Sequence, residues 1–101
     1  IYDASTYTAV KQVYSSTSPV SVFPSLIHDE TTINYVLRET EDVDISLYTL
    51  SGQKVEAIVC GKQSPGAYTH TWIRNNRIQQ GVYICRVKIA NEVFPFKLIL
   101  I

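Results

Sequence analysis

The sequence predicts an all-β fold, an antiparallel β-sandwich of about seven strands. Stretches that alternate apolar and polar residues recur about every ten residues, a spacing typical of sandwiches and barrels. No window keeps apolar residues at the spacing of an amphipathic helix. Seven Tyr, three Phe and one Trp, together with abundant Val, Ile and Thr, are residue types enriched in strands. Pattern and composition therefore both favour β-structure.

The length of the chain fits one globular domain, and its formal charges balance. The chain has 101 residues, enough for a single domain to bury a core without metals or disulfides. Nine basic and nine acidic residues cancel, so no positive surplus is available for the phosphate backbone of a nucleic acid. No apolar run approaches the roughly 18 residues that a membrane-spanning helix needs. We therefore expect neither nucleic-acid binding nor a transmembrane segment.

The first 18 residues differ from the rest of the chain. Ser15–Ser18 followed by Pro19 is a composition typical of a linker. Residues 1–18 are therefore interpreted as a linker or the tail of a preceding domain, and residues 19–101 as the sandwich. Its first strand is expected around Val20–Phe23.

The middle of the chain predicts one strand followed by a hairpin. Thr31–Leu37 and Val43–Leu50 both alternate apolar and polar residues. Ser51-Gly52 is a tight-turn dipeptide, because Gly accepts a positive φ without steric cost. Lys54–Val59 then returns as a short strand. The residues expected to face inward in the first two strands are Ile33, Tyr35, Leu37, Val43, Ile45 and Leu47.

The last third of the chain predicts three more strands. Gly61–Gly66 has Gly at both ends and a Pro between, and is predicted as a loop. Ala67–Ile73 alternates again, with Trp72 on the same side as two other ring side chains. Val82–Ile89 is the strongest strand pattern, and a short turn leads from it to Val93–Ile101. These two stretches are expected to form a hairpin, which explains how so apolar a stretch can be tied down and half buried.

Cys60 and Cys85 leave two alternatives open. Two cysteines cannot form a zinc site alone, and neither belongs to a CxxC motif. A disulfide between them is one alternative, provided that the chain enters an oxidising compartment. Two half-buried free thiols are the other alternative and the favoured one.

No group of residues indicates catalysis, a cofactor or a metal ion. His28, Asp29 and Glu30 are adjacent, but neighbouring side chains of an extended chain point to opposite faces and do not converge on one ion. The acidic residues at 39–44 lack the spacing of a calcium loop. Motifs for a nucleophile, a phosphate-binding loop or a zinc protease are absent from the sequence. We therefore expect a protein that is not an enzyme.

Several stretches follow one another in an order that resembles a known family. That family shows an aromatic-Pro start, a Thr-Ile-x-Tyr strand, a Leu-Tyr-x-Leu-x-Gly-x-x-Val hairpin, a Gly-x-Tyr…Trp strand, a Gly-Val-Tyr strand and a final strand of Lys and aliphatic residues. The corresponding stretches here are VFPSLIHDETTINYVL (22–37), VDISLYTLSGQKV (43–55), SPGAYTHTWI (64–73), QQGVYICRV (79–87) and the closing FKLILI. The chain thus resembles the C-terminal sorting domain of the type IX secretion system, an immunoglobulin-like domain of exported Bacteroidetes proteins.

The resemblance implies a sorting signal that works by protein–protein recognition. Such a domain passes through the periplasm, is recognised by the type IX translocon and its shuttle proteins, and takes an upstream cargo domain of the same chain to the cell surface or outside the cell. In many members a cell-surface sortase cuts upstream of the domain, and Ser15–Pro19 is where that cut is expected. Periplasmic passage also permits the Cys60–Cys85 disulfide without requiring it.

The resemblance also assigns roles to individual residues. The translocon is expected to recognise the last hairpin through strand-edge and apolar contacts. The residues implied for this recognition are Gly81, Val82, Tyr83, Lys97, Leu98, Ile99, Leu100 and Ile101. The residues of the family motifs that are expected to be structural are Phe23, Pro24, Gly52, Gly66 and Trp72.

An adhesion or carbohydrate-binding module is the alternative function. It rests on Tyr35, Tyr48, Tyr68, Trp72 and Tyr83, which could form an exposed platform for stacking against a sugar or a peptide. Packing in the core and rim of the sandwich is the favoured interpretation of the same residues, with each polar ring atom reaching a hydrogen-bond partner.

Overall fold

The computed structural model describes residues 19–101, so the predicted linker and nearly all of the expected cleavage stretch lie outside the described residues. Within the described range the chain forms eight strands and no helix, and hence no helix that could cross a membrane. The strands are β1 (Val20–Phe23), β2 (Leu26–Ile27), β3 (Glu30–Leu37), β4 (Glu41–Thr49), β5 (Lys54–Gln63), β6 (Gly66–Ile73), β7 (Gly81–Ile89) and β8 (Glu92–Leu100).

The strands form two sheets. The small sheet has the order β1-β3-β6, and the large sheet has the order β2-β8-β7-β4-β5. Every pair is antiparallel except β2 with β8, which is parallel and joins Leu26 to Ile99 and Ile27 to Leu100. The prediction of an all-β antiparallel sandwich is confirmed. The additional strand is β2, which is too short to show an alternating pattern.

The core lies between the two sheets and is built by the predicted alternation. The side chains expected to face inward from β3 and β4 are all at most 3% exposed. Strands β2, β7 and β8 add the rest of the large sheet's inner face, and Ile78 from the β6–β7 loop also belongs to the core. The fully buried apolar side chains of the large sheet are Ile27, Val43, Ile45, Leu47, Cys85, Val87, Leu98 and Leu100.

Both predicted hairpins are confirmed. At the β4–β5 turn the amide of Gly52 donates to the carbonyl of Thr49 over 3.0 Å, and the amide of Thr49 donates to the carbonyl of Gln53 over 2.9 Å. Gly52 has a φ of +96°, a conformation that disfavours any side chain. The β7–β8 hairpin pairs Ile89 with Glu92 at the turn and continues to Gly81 opposite Leu100.

The predicted loop over Gly61–Gly66 is mostly strand. Strand β5 continues to Gln63, which pairs with Glu41, so only Ser64 and Pro65 lie between β5 and β6. The physical reason is the length of β4, which begins at Glu41 and provides hydrogen-bonding partners beyond the expected end of β5. Gly61 is tolerated there because it lies on an edge strand with nothing within 4 Å of its missing side chain.

Two hydrogen bonds fasten β5, which lies at one edge of the large sheet, to the small sheet. Trp72 on β6 donates its indole N–H to Glu56 Oε2 over 3.1 Å. Tyr35 on β3 donates its hydroxyl to Gln63 Oε1 over 2.6 Å. Burial raises the pKa of Tyr35, although the hydrogen bond to Gln63 opposes this shift. Each buried ring therefore reaches the opposite sheet with its polar atom.

Both cysteines are free, which corrects the disulfide alternative. Cys85 is buried on β7, whereas Cys60 is exposed on β5, so the expectation that both thiols are half-buried is wrong. Strand β4 runs between these two strands, with Asp44 opposite Cys60 and Leu47 opposite Cys85. Two strand spacings amount to about 10 Å, beyond the roughly 7 Å between Cα atoms that a disulfide can span.

The two thiols are expected to differ sharply in reactivity. Burial raises the pKa of Cys85 to about 12, so that its thiolate is scarce at the pH used for alkylation, whereas Cys60 is accessible. A maleimide at pH 7.5 is expected to label one thiol of the native protein, at Cys60, and two in urea. Mass spectrometry of the digested protein identifies the site. Rapid labelling of Cys85 in native protein would contradict this burial.

Candidate recognition site on the last hairpin

The eight residues implied for recognition lie together in the last hairpin. Strands β7 and β8 pair throughout, so Gly81 faces Leu100, Val82 faces Ile99 and Tyr83 faces Leu98. Because successive side chains of a strand point to opposite faces, this group is divided into an inner and an outer set. The division decides which of these residues a partner protein can touch.

The inner set belongs to the core. Leu98 and Leu100 are each 1% exposed and pack between the sheets. Tyr83 packs against the core as a partly buried residue, and its hydroxyl donates to the carbonyl of Gln79 over 2.7 Å. These residues hold the hairpin on the sandwich, and the two leucines present no surface to a partner.

Tyr68 repeats the arrangement of Tyr83 at the start of β6. Each tyrosine stands two residues after a glycine, and each hydroxyl donates to the carbonyl four residues earlier, which for Tyr68 is Ser64 at 2.6 Å. The two Gly-x-Tyr stretches are therefore structural, because each tyrosine fixes the loop that enters its own strand.

The outer set faces solvent. Lys97 is exposed, Ile99 is 38% exposed and Ile101 is 53% exposed, while Val82 is partly covered. Leu26, the strand neighbour of Ile99 on β2, is 57% exposed and extends the same apolar area. An exposed cluster of aliphatic side chains on a regular sheet face is a common feature of protein interaction sites.

On the outer face, the next line of residues across the strands combines apolar and cationic side chains. Lys54, Tyr48, Ile84 and Lys97 are neighbours across four adjacent strands, from β5 to β8. The guanidinium carbon of Arg86 lies 5.0 Å from the ring centroid of Tyr48, and the Lys54 ammonium lies 5.9 Å from it. Both distances allow cation–π attraction. The outer face therefore has a tyrosine held between two cations.

Arg74 fastens the end of β8 to the rest of the domain. Its guanidinium donates to the carbonyl oxygens of Ile101 at 2.7 Å, His28 at 3.1 Å and Ile78 at 3.1 Å. The backbone amide of Ile101 also donates to the carbonyl of Ile27 over 2.9 Å. The last described residues are thus held in place by segments that are distant in sequence.

The motif residues expected to be structural take different positions. Trp72 is 3% exposed and Gly52 forms its turn, but Phe23 is 76% exposed and contributes little to the core. The carbonyl of Pro24 accepts a 2.7 Å hydrogen bond from the buried hydroxyl of Thr31. Gly66 opens β6 in the Gly-x-Tyr arrangement.

The aromatic residues do not form one exposed platform. Tyr35 and Trp72 are buried, and Tyr68 stacks on Tyr35 with its ring centroid 5.1 Å away and an interplanar angle of 11°. Tyr48 lies on the outer face of the other sheet. The geometry that would favour carbohydrate stacking is therefore missing from the described part of the chain.

The metal candidates of the sequence do not assemble into a site. His28 Nδ1 lies 2.9 Å from Asp29 Oδ1, so these neighbours touch, contrary to the expectation that they point apart. Both side chains are exposed. No group of three or more metal-ligating side chains gathers anywhere in residues 19–101.

Two arginines of this region had no role in the sequence analysis. The sequence pattern was sufficient to place Arg86 on the outer face, because Arg86 alternates along β7 with the same spacing as Val82 and Ile84. Arg74 had no usable signal, since its three carbonyl partners lie up to 46 residues away along the chain. Local pattern can predict on which face a strand residue lies, but not which distant carbonyls an arginine reaches.

Comparison with known proteins gives one match. A family model described as a secretion system C-terminal sorting domain matches residues 21–101. Neither a curated protein nor a solved structure matches the chain. The matched range includes all eight strands except the first residue of β1, and therefore the whole outer face of the last hairpin.

Proposed function

Since this chain belongs to the C-terminal sorting domain family of the type IX secretion system, we propose that a partner protein of that system reads the outer face of its last hairpin at the end that holds Val82, Lys97 and Ile99. The domain then directs an attached cargo to the cell surface or outside the cell without catalysing a reaction. The observation that carries this proposal is the exposure of Ile99 and Lys97 on a strand whose alternate residues are fixed in the core.

The position of β8 favours recognition by the sheet face over recognition by the strand edge. Strand β2 covers β8 only opposite Ile99 and Leu100, so within the described residues the other side of β8 is open from Glu92 to Leu98. Pro95 lies in this open part and has no amide hydrogen to donate. A partner strand added there would have an interrupted ladder. Side-chain contacts on the outer face therefore carry most of the proposed recognition.

The proposed route is the one that the family is known to take. The parent protein crosses the inner membrane on a signal peptide, the domain folds in the periplasm, and the translocon with its shuttle proteins takes it across the outer membrane. A cell-surface sortase acting on Ser15–Pro19 would release the cargo from the domain. The proposed cargo is a domain joined to this one in the parent protein.

Export of a reporter tests the proposal. Residues 1–101 are fused behind a signal peptide and a fluorescent reporter in a type IX-competent bacterium, and surface-exposed reporter is quantified by protease accessibility. We expect export of the unchanged fusion, and complete retention in the periplasm when Lys97–Ile101 is deleted. Because that deletion also removes two core leucines, Ile99→Asp is the more specific variant. It is expected to lower export about tenfold or more by placing a charge in an apolar contact.

Val93→Asp is the matched control for Ile99→Asp. Val93 lies on the same face of the same strand and is 42% exposed. It is six residues away from Ile99, at the turn end of the hairpin, where it pairs with Lys88. We expect this variant to be exported within about twofold of the unchanged fusion. Equal export of the unchanged fusion, the deletion and Ile99→Asp would refute the proposed role.

A further inference from the structure

Charge on the outer face of the large sheet is distributed unevenly. At one end, Lys62 is 3.9 Å from Asp42, and Lys88 lies directly across from Asp44. At the other end, around Tyr48, the cations have no such partners. A chain whose formal charges cancel thus carries a local positive area.

The positive area consists of Lys54, Arg86 and Lys97, arranged around Tyr48 and Ile84. Within residues 19–101 none of these three cations forms an ion pair with a carboxylate. The acid nearest to them in sequence, Glu56, points to the other side of the sheet, where it accepts the indole N–H of Trp72. The cations are therefore available to a partner.

The geometry of this area is preorganised. Lys54 and Lys97 are separated by three strand spacings, or about 14 Å, with the two apolar side chains between them. Arg86 rests on the ring of Tyr48. Ser46 lies opposite Arg86 on β4 and also faces outward, yet it is only 1% exposed. A cation that is already held in place loses less conformational entropy when it binds.

We propose that this cation–tyrosine cluster, defined as Lys54, Tyr48, Arg86 and Lys97, binds an acidic protein surface with an apolar centre. The inference rests on the proposed function and identifies the chemistry of the partner at the same face. Opposite charge on the partner accelerates association and selects against other surfaces. The aliphatic row of Val82, Ile99 and Leu26 provides the adjoining apolar contact.

A protein partner fits these observations better than an anionic membrane does. Each cation near an anionic lipid surface contributes about 1 kcal/mol, so three cations give an affinity no tighter than the millimolar range. The face is also a regular sheet surface with alternating apolar and charged rows, which suits a complementary protein surface.

Neutralising substitutions test the cluster in the same reporter fusion of residues 1–101. Arg86→Gln combined with Lys54→Gln is expected to lower surface export about fivefold or more. Lys88→Gln combined with Lys62→Gln is the matched control, because it removes the same charge from the same strands at the end where acids balance the cations. The control is expected to stay within about twofold of the unchanged fusion.

The outcomes separate this inference from the proposed function. Both double variants are purified and their thermal unfolding midpoints compared, so that a loss of export can be assigned to the surface. One outcome is that the unchanged fusion is exported and Ile99→Asp is retained, while the double variant of Arg86 and Lys54 is exported as well as its control. In that case the cluster inference is wrong and the sorting role stands. If the unchanged fusion is not exported, both fail. Co-sedimentation with phosphatidylglycerol vesicles that depends on Arg86 would overturn the assignment to a protein partner.

Discussion

Replacing Leu98 by alanine is expected to lower the free energy of unfolding by about 2–5 kcal/mol, whereas Ile99→Ala is expected to lower it by less than about 1 kcal/mol. The two residues are adjacent on β8, but Leu98 is 1% exposed between the sheets and Ile99 is 38% exposed on the outer face. Truncating Leu98 removes buried apolar surface and leaves a cavity that the stiff neighbouring strands cannot fill.

Urea unfolding of the two variants, followed by circular dichroism, measures this difference. The opposite order of stability losses would mean that β8 is shifted by one residue, because such a shift exchanges the two faces of the strand. Substitutions at Leu98 and Ile99 are also expected to affect export differently. Leu98→Ala should lose export only in proportion to the unfolded fraction, whereas Ile99→Asp should lower export about tenfold or more although the domain stays folded.

Trp72→Ala is expected to cost about 3–5 kcal/mol of unfolding free energy. The indole is 3% exposed and connects the sheets through its hydrogen bond to Glu56, so its loss opens a cavity and releases the edge strand β5. Trp72→Phe fills most of the volume and is expected to cost less, because the carboxylate of Glu56 is only partly buried and can turn to solvent.

Fluorescence provides the measurement for the unchanged protein. Trp72 is the only tryptophan in the sequence, so its emission reports on this site alone. We expect a blue-shifted spectrum that acrylamide quenches poorly until the protein unfolds. A solvent-exposed spectrum in the folded state would place Trp72 on the surface and would revive the alternative of an aromatic binding platform.

The sequence was sufficient to predict the fold where one strand face is buried. Alternation in β3 and β4 correctly predicted six inward side chains, because hydrophobic burial on one face imposes a two-residue period. It could not predict β2. That strand contains two residues, and its partner on β8 is 73 residues away, so no local period exists to detect. The end of β5 was missed for a similar reason, since it depends on where β4 begins.

The candidate site was predicted only as a segment. The family resemblance selected the consecutive residues Lys97–Ile101, but the pleat of β8 turns Leu98 and Leu100 inward and leaves the other three to solvent. Arg86 was not selected at all, and Tyr48 was selected only for the alternative aromatic platform, although both complete the same face. A surface is assembled across strands, and a motif that runs along one strand cannot describe it.

The parallel pair of β2 with β8 determines when this fold can be completed. Ile27 lies in the core, and its carbonyl accepts the amide of Ile101, so the beginning of the domain is closed by its last residues. A chain emerging from the ribosome lacks this partner until residue 101 has been synthesised, and pairing across so long a stretch is slow. Strand β2 therefore stays without its sheet partner until β8 has been made. The exposed apolar area that Leu26 shares with Ile99 is therefore assembled only once both strands are present.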